Sequence, residues 1–232
     1  MFIDPLGLKD VMVRSIAEKN GGTATSKQNI LGVTKSVTVQ IGDITKTYSV
    51  GDNKNQVRIV EGRAVIDSSV IKKDFALSYD ESRHLEGDLF NSEGEAAMAF
   101  GLMYHETSLN EEQEYGAGLY QTEDGKWYFD NVSNSADYAG KALEDLTREE
   151  RNACGVPIDT NTTIHTHWEK WGNLEQSRTD NTNAMLVART TGYYRSYIVN
   201  YSGRINYKTY SENSIYIGAP SSKELANIGK GV

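Results

Sequence analysis

Histidines occupy alternate positions in Asn161-Thr162-Thr163-Ile164-His165-Thr166-His167, a run otherwise dominated by β-branched residues. Branched side chains pack well on a pleated surface, so the run reads as a short buried strand, entered from a turn at Pro157-Ile158-Asp159. Residues two apart on a strand share a face, and both imidazoles would therefore be aimed at one point. After the strand, Trp168 to Thr179 is polar and reads as a loop. Asp180-Asn181-Thr182-Asn183 then precedes Ala184-Met185-Leu186-Val187-Ala188, which puts Asp180 or Asn181 at a helix N-terminus.

Two alternating histidines and a downstream carboxylate are what one divalent zinc needs. Zinc hydrolases use three protein ligands and leave the fourth position to a water whose pKa falls to about 7. His165, His167 and Asp180 could fill the three places. Each also has a plain reading: the histidines as a surface pair, Asp180 as a helix cap. Upstream, Glu114-Tyr115-Gly116-Ala117-Gly118-Leu119-Tyr120 starts a strand that continues through the turn Glu123-Asp124-Gly125 into Lys126-Trp127-Tyr128-Phe129. Glu114, at a strand start beside two glycines, suits a general base; otherwise it is a solvated edge charge among Glu111, Glu112 and Glu114.

The order Glu114, His165-x-His167, Ser177-x-x-Asp180 resembles the JAB/JAMM metalloprotease superfamily. Nine residues separate His167 from Ser177, where the family pattern has seven, and Trp168 replaces the usual proline, so this loop is longer and differently shaped. The match is closer to a JAB-like domain found at the C-termini of Rhs proteins. It rests on Ser108 to Gly116 leading into the first hairpin, and on Tyr197 to Tyr207 as a closing hairpin with a Ser202-Gly203 turn. The resemblance covers roughly residues 92 to 210. It implies an α+β fold, JAB/JAMM-like (cytidine-deaminase-like), with a mixed sheet flanked by helices and a β-rich N-terminal extension. It also implies amide hydrolysis at Zn2+ held by His165, His167 and Asp180, with Glu114 shuttling the proton and Ser177 hydrogen-bonding the oxyanion. Trp168, Trp171, Tyr115 and Tyr120 could line the cleft or simply pack.

Asp4-Pro5-Leu6-Gly7-Leu8 looks like the DPxGL signature that closes an Rhs shell, where autoproteolysis releases the variable toxin. By this resemblance Asp4, Pro5, Gly7 and Leu8 mark a junction, with cleavage expected after Leu8. The implied protein is an antibacterial or anti-host effector, exported as cargo, commonly by type VI secretion, and acting in the target-cell cytoplasm. Its implied partners are the parent Rhs shell, a cognate immunity protein and a target protein. Two other readings stay open: a metal-free JAB-like toxin that acts by binding a target protein, and a nuclease or nucleotide-directed toxin.

Charge bears on the last of these. Lys plus Arg is 24 and Asp plus Glu is 32, and a net charge of −8 works against a large phosphate-binding surface. Cys154 alone excludes an intramolecular disulfide and a Cys-rich zinc site, and lacks the CxxC partner of a nucleobase deaminase. It reads as a plain cysteine, or less readily as a nucleophile paired with His165. The chain has no run of eighteen apolar residues and no signal-peptide pattern, so a soluble chain with no membrane span is expected.

The domain organisation expected is a junction over residues 1–8, a β-rich extension over 9–90, a catalytic domain over 91–220 and a flexible tail over 221–232. Within the extension, a helix is expected over Asp10 to Glu18, ended by Gly21-Gly22, and hairpins about Gly42-Asp43 and Glu61-Gly62. Residues 92–107 read as an amphipathic helix presenting Ala96, Ala97, Phe100, Met103 and Tyr104, with a charge-rich helix over Tyr138 to Asn152. His105 reads as surface or packing, or as a group behind the metal; His84, in a charged loop, reads as solvated.

Overall fold

The computed structural model describes residues 10–135, 160–169 and 178–229. The junction residues Asp4, Pro5, Gly7 and Leu8, the turn at Pro157, the expected helix over Tyr138 to Asn152, Cys154, Trp171 and Ser177 lie outside the described residues. The chain is mixed α+β and divides into two units, Met1–Leu85 and Glu86–Val232.

In the N-terminal unit, alternation builds an antiparallel sheet of β2 (Thr23–Gln28), β3 (Thr34–Ile41) and β4 (Ile44–Ser49). Val37 and Val39 face the core while Ser36 and Thr38 lie on the other face. The turn falls at Gly42-Asp43, with Gly42 in the left-handed region at φ 56°. The second hairpin, β5 (Arg58–Val60) and β6 (Arg63–Asp67), turns at Glu61-Gly62. Asp67 then caps α2 (Ser68–Phe75), its Oδ1 accepting from the Ser69 backbone N–H at 2.8 Å.

The helix expected from Asp10 begins later. Asp10–Met12 is strand β1, paired with Asp67, Ile66 and Val65, and α1 spans Val13–Lys19. Asp10 pairs with Arg58 instead of capping a helix, and Val11 and Met12 are buried in succession, as a two-sided strand requires. His84 is the other correction: it is 3 % exposed, and its Nε2 accepts the Met12 backbone N–H at 3.0 Å.

The C-terminal unit is one six-stranded sheet in the order β12-β11-β10-β9-β7-β8. Its strands are β7 (Tyr115–Gln121), β8 (Trp127–Asn134), β9 (Thr162–Thr166), β10 (Tyr193–Val199), β11 (Arg204–Ser211) and β12 (Lys223–Asn227). Only β9 and β10 pair in parallel; the other pairs are antiparallel.

Helix α3 (Glu93–Glu111) starts at a Ser92 cap whose Oγ accepts the Glu95 N–H at 3.2 Å, while the Glu95 carboxylate accepts the Asn91 N–H. Ala96 through Leu102 are all buried, a broader apolar surface than the expected stripe; Met103 and Tyr104 are half-buried. Gly101 lies where a Cβ would come within 2.9 Å of Ile205 and Ile228 side chains, which shows how closely α3 seats on the sheet. Helix α4 (Arg178–Thr191) covers the opposite face, packing Ala184 and Ala188 on Tyr194 and Tyr210. A short α5 (Ser214–Ile217) follows β11.

The closing hairpin turns on Asn200, whose Oδ1 accepts from the backbone of Ser202 and Arg204 at 3.0 Å each, with Gly203 at φ 77°. Residues 221–232 were expected as a flexible tail; Lys223–Asn227 instead forms edge strand β12 against β11. Ala226 and Ile228, both buried, anchor it. No helix among the described residues is long and apolar enough to cross a membrane.

Candidate metal centre

Register decides which side chains meet. Arg195 pairs with Thr162 and Ile198 with His165, so Thr163 and His165 share the face that Tyr194 presents to α4. Thr166 lies on the α3 face, where its hydroxyl donates to Ser108 Oγ at 2.8 Å and accepts the Tyr115 N–H at 2.9 Å. Ser108 in turn donates to the Gln113 carbonyl at 2.6 Å. The middle residue of the His-x-His run thus ties β9 to the end of α3 and the start of β7, and leaves its two neighbours facing the other way.

Gly116 pairs with His165 across the sheet. The strand beside the imidazole therefore presents no side chain at that position on the histidine face. His167 stands one residue past β9, yet its backbone N–H still donates to the Val199 carbonyl at 2.8 Å. Glu114 immediately precedes β7; its N–H donates to Ser135 Oγ, and its carbonyl accepts the Ser135 N–H at 2.8 Å.

Asp180 comes from the first turn of α4, where the helix dipole favours a carboxylate. Arg178 already begins the helix, so Asp180 is inside it and not the capping residue. Next to it, Asn181 Oδ1 accepts from Tyr210 Oη at 2.7 Å and Lys208 Nζ at 3.2 Å, which pins the first turn of α4 to β11. Sequence reasoning placed Asn181 at this helix start without seeing that role. Its signal is an amide beside a candidate ligand, which becomes informative only once the tyrosine and lysine partners are known.

His165, His167 and Asp180 converge. His165 Nε2 lies 3.0 Å from His167 Nε2 and 3.7 Å from Asp180 Oδ2, and the third edge, His167 Nε2 to Asp180 Oδ2, is 4.0 Å. The point equidistant from the corners of that triangle is about 2.1 Å from each, which is the zinc–nitrogen and zinc–oxygen bond length. Two imidazoles and one carboxylate suit zinc, whereas calcium and magnesium take shells of oxygen. The donor set therefore fits, and its three atoms lie close enough together to share one cation.

The electrostatics are those of a polar site whose two imidazoles are buried. His165 and His167 are 5 % and 9 % exposed. Burial of the His165 ring works against its charge, but the Asp180 carboxylate 3.7 Å away and the Glu114 charge outweigh that and raise its pKa. Glu114 Oε1 is 3.8 Å from His167 Nε2, beside the triangle and outside the ligand set. Burial raises the Glu114 pKa above the usual carboxylate range; nearby His165 opposes this, and Asp180 and Glu169 add to it. A carboxylate shifted upward is a better proton acceptor near neutral pH.

The remaining expected groups divide. Tyr115 is buried, stacks on Tyr104 at 5.2 Å and donates to Glu111, so it is a packing residue. Tyr120 stacks on Tyr128 and its Oη accepts from Asn131 Nδ2 at 2.6 Å. Trp168 is half-buried directly after His167. His105 Nε2 lies 3.1 Å from the Tyr201 carbonyl, at the turn of the closing hairpin. On the histidine face, Thr163 Oγ1 and Tyr194 Oη share a 2.5 Å hydrogen bond below His165. Compared with protein-family models, with curated proteins and with solved structures, the chain gives no match.

Proposed function

We propose that the C-terminal unit is a zinc-dependent hydrolase of JAB/JAMM-like fold that cuts a peptide or isopeptide bond. The observation that carries the reading is the triangle of His165, His167 and Asp180 with Glu114 beside it, one cation wide and with both imidazoles buried on a sheet face. Bound zinc would act as a Lewis acid and lower the pKa of its water. His165 and His167 would hold the cation from the end of a strand that Thr166 fixes, and Asp180 from a helix turn that Asn181 fixes. Glu114 accepts the proton of the attacking water at Oε1 and delivers it to the leaving amine. Ser177, assigned by motif alone, donates to the developing oxyanion.

The same proposal extends to the whole chain as the toxin released from an Rhs-repeat protein. It would travel as cargo of that shell through type VI secretion, act in the target-cell cytoplasm and be held in check by an immunity protein. Its support is the Asp4-Pro5-Leu6-Gly7-Leu8 sequence together with the order of the site residues. A metal-free binding module is the competing reading, favoured by one distance: at 3.0 Å the two Nε2 atoms can hydrogen-bond to each other, one ring donating and the other accepting. Elemental analysis of the purified protein separates the two. About one zinc per chain, lost in His165→Ala/His167→Ala, supports the hydrolase; no metal even after zinc is supplied overturns it.

A further inference from the structure

The N-terminal unit carries an apolar tip that nothing in the hydrolase reading uses. Between β2 and β3 the chain runs Asn29-Ile30-Leu31-Gly32-Val33, and Ile30, Leu31 and Val33 are 102 %, 79 % and 52 % exposed. Scattered exposed aliphatics are ordinary, but three within four residues at the end of a hairpin form a wedge.

Three backbone donors of this wedge are paired from within. Asn29 Oδ1 accepts the Leu31 and Val33 N–H groups at 3.0 and 2.9 Å. The Asn29 N–H donates to the Val33 carbonyl at 2.9 Å, and the Gly32 N–H to the Asn29 carbonyl at 3.0 Å, with Gly32 at φ 76°. The donors of Leu31, Gly32 and Val33 therefore need no water. Entry into an apolar medium costs most where backbone polar groups lose their partners, and the three paired donors lower that cost for the tip.

Charge names the medium. Residues 23–41 hold Lys27 and Lys35 and no acidic residue, in a chain of net charge −8. Lys27 pairs with Ser36, and Lys35 shares strand parity with Val37, so the two lysines leave opposite faces of the hairpin just behind the tip. An aliphatic wedge with a collar of long cationic side chains matches the apolar interior and anionic headgroups of a lipid surface.

We infer that the Ile30–Val33 tip is a membrane-anchoring element that inserts into the interface of an anionic bilayer, with Lys27 and Lys35 at headgroup level. The element stands independently of the metal centre. The test is co-flotation of the full chain with vesicles of phosphatidylglycerol and phosphatidylcholine, beside vesicles of phosphatidylcholine alone. Binding is expected to the anionic vesicles, and to fall roughly tenfold for each aliphatic removed in Ile30→Ser and Leu31→Ser. It is expected to fall roughly fivefold for each of Lys27→Gln and Lys35→Gln. Leu31→Trp reports insertion directly through a blue shift of its emission when anionic vesicles are added. No flotation of the wild type, or flotation unchanged by Ile30→Ser/Leu31→Ser, overturns the inference. So does self-association of the chain that the same double substitution abolishes, since the tip would then serve a second copy.

Discussion

His84 in the N-terminal unit and His165 in the C-terminal unit are equally hidden from water, at 3 % and 5 % exposure, yet their surroundings drive them in opposite directions. Around His84, burial and then the nearby Lys19 charge press the ring towards neutrality, with a pKa pushed down to about 3. Around His165, burial presses the same way, but Asp180 and Glu114 overturn it. Burial alone therefore marks neither histidine as functional. What separates them is the carboxylates: His84 accepts one backbone N–H from a neighbouring strand, while His165 belongs to a set of donors that one cation can satisfy together.

The largest effect should come from the residue that stands beside the ligand set without joining it. Glu114→Gln is expected to keep the zinc content of the wild type while lowering hydrolysis about 10²–10⁴-fold. Zinc analysis together with growth inhibition, when each protein is expressed in the bacterial cytoplasm, checks both halves. Loss of zinc in Glu114→Gln would make Glu114 a ligand and break the division into three ligands and one base.

Asn181→Ala comes next. It removes the acceptor shared by Tyr210 and Lys208 and frees the helix turn that carries Asp180. Groups that orient metal ligands typically contribute 10–100-fold to affinity, and a loss of about that size is expected in competition with a zinc chelator. Asn181→Asp keeps an acceptor at the same place and should recover most of the affinity, which a role in packing alone would not predict.

His84 supplies the third test, read through pH. Its folded pKa of about 3 lies below the ordinary value of 6.5, so on acidification the unfolded chain takes up the proton first. The His84 contribution is therefore complete above about pH 6.5 and is lost as pH falls towards 3, at up to about 1.4 kcal/mol per pH unit. Urea unfolding of the wild type and His84→Gln at a series of pH values should show a shallower acid limb in the variant. Parallel limbs would mean that His84 already titrates near its ordinary value and that the contrast with His165 is false.

These two surroundings differ also in how far they could be read along the chain. The strand under His165 was legible because β-branched residues precede the histidines and Thr166 separates them, and Glu114 because two glycines follow it at a strand start. Asp180 was legible as a residue near a helix start, but its approach to the rings depends on Asn181 reaching Tyr210 and Lys208 on β11. His84 was illegible for the same physical reason. Its neighbours Asp80, Glu81 and Arg83 suggest a solvated loop, and the donor that claims its ring, Met12, lies 72 residues away. Strand β1 was missed because Asp10 finds its partner, Arg58, 48 residues along the chain, and β12 because its burial rests on Ala226 and on Ile228 just beyond it.

The smallest effect separates two aspartates at helix starts. Asp67 is the capping residue of α2, 5 % exposed and bonded to both the backbone and the hydroxyl of Ser69. Asp180 lies within the first turn of α4 and points at two histidines. If the first is a cap and the second a ligand, Asp67→Ala costs about 1 kcal/mol of stability in urea unfolding and leaves the zinc content alone. Asp180→Ala should do the reverse: little change in the stability of chelator-treated protein, because no cap is removed, and a large loss of zinc. A loss of about 1 kcal/mol in the chelator-treated Asp180→Ala protein, with zinc retained, would make Asp180 a structural aspartate like Asp67 and leave the two histidines as a hydrogen-bonded pair.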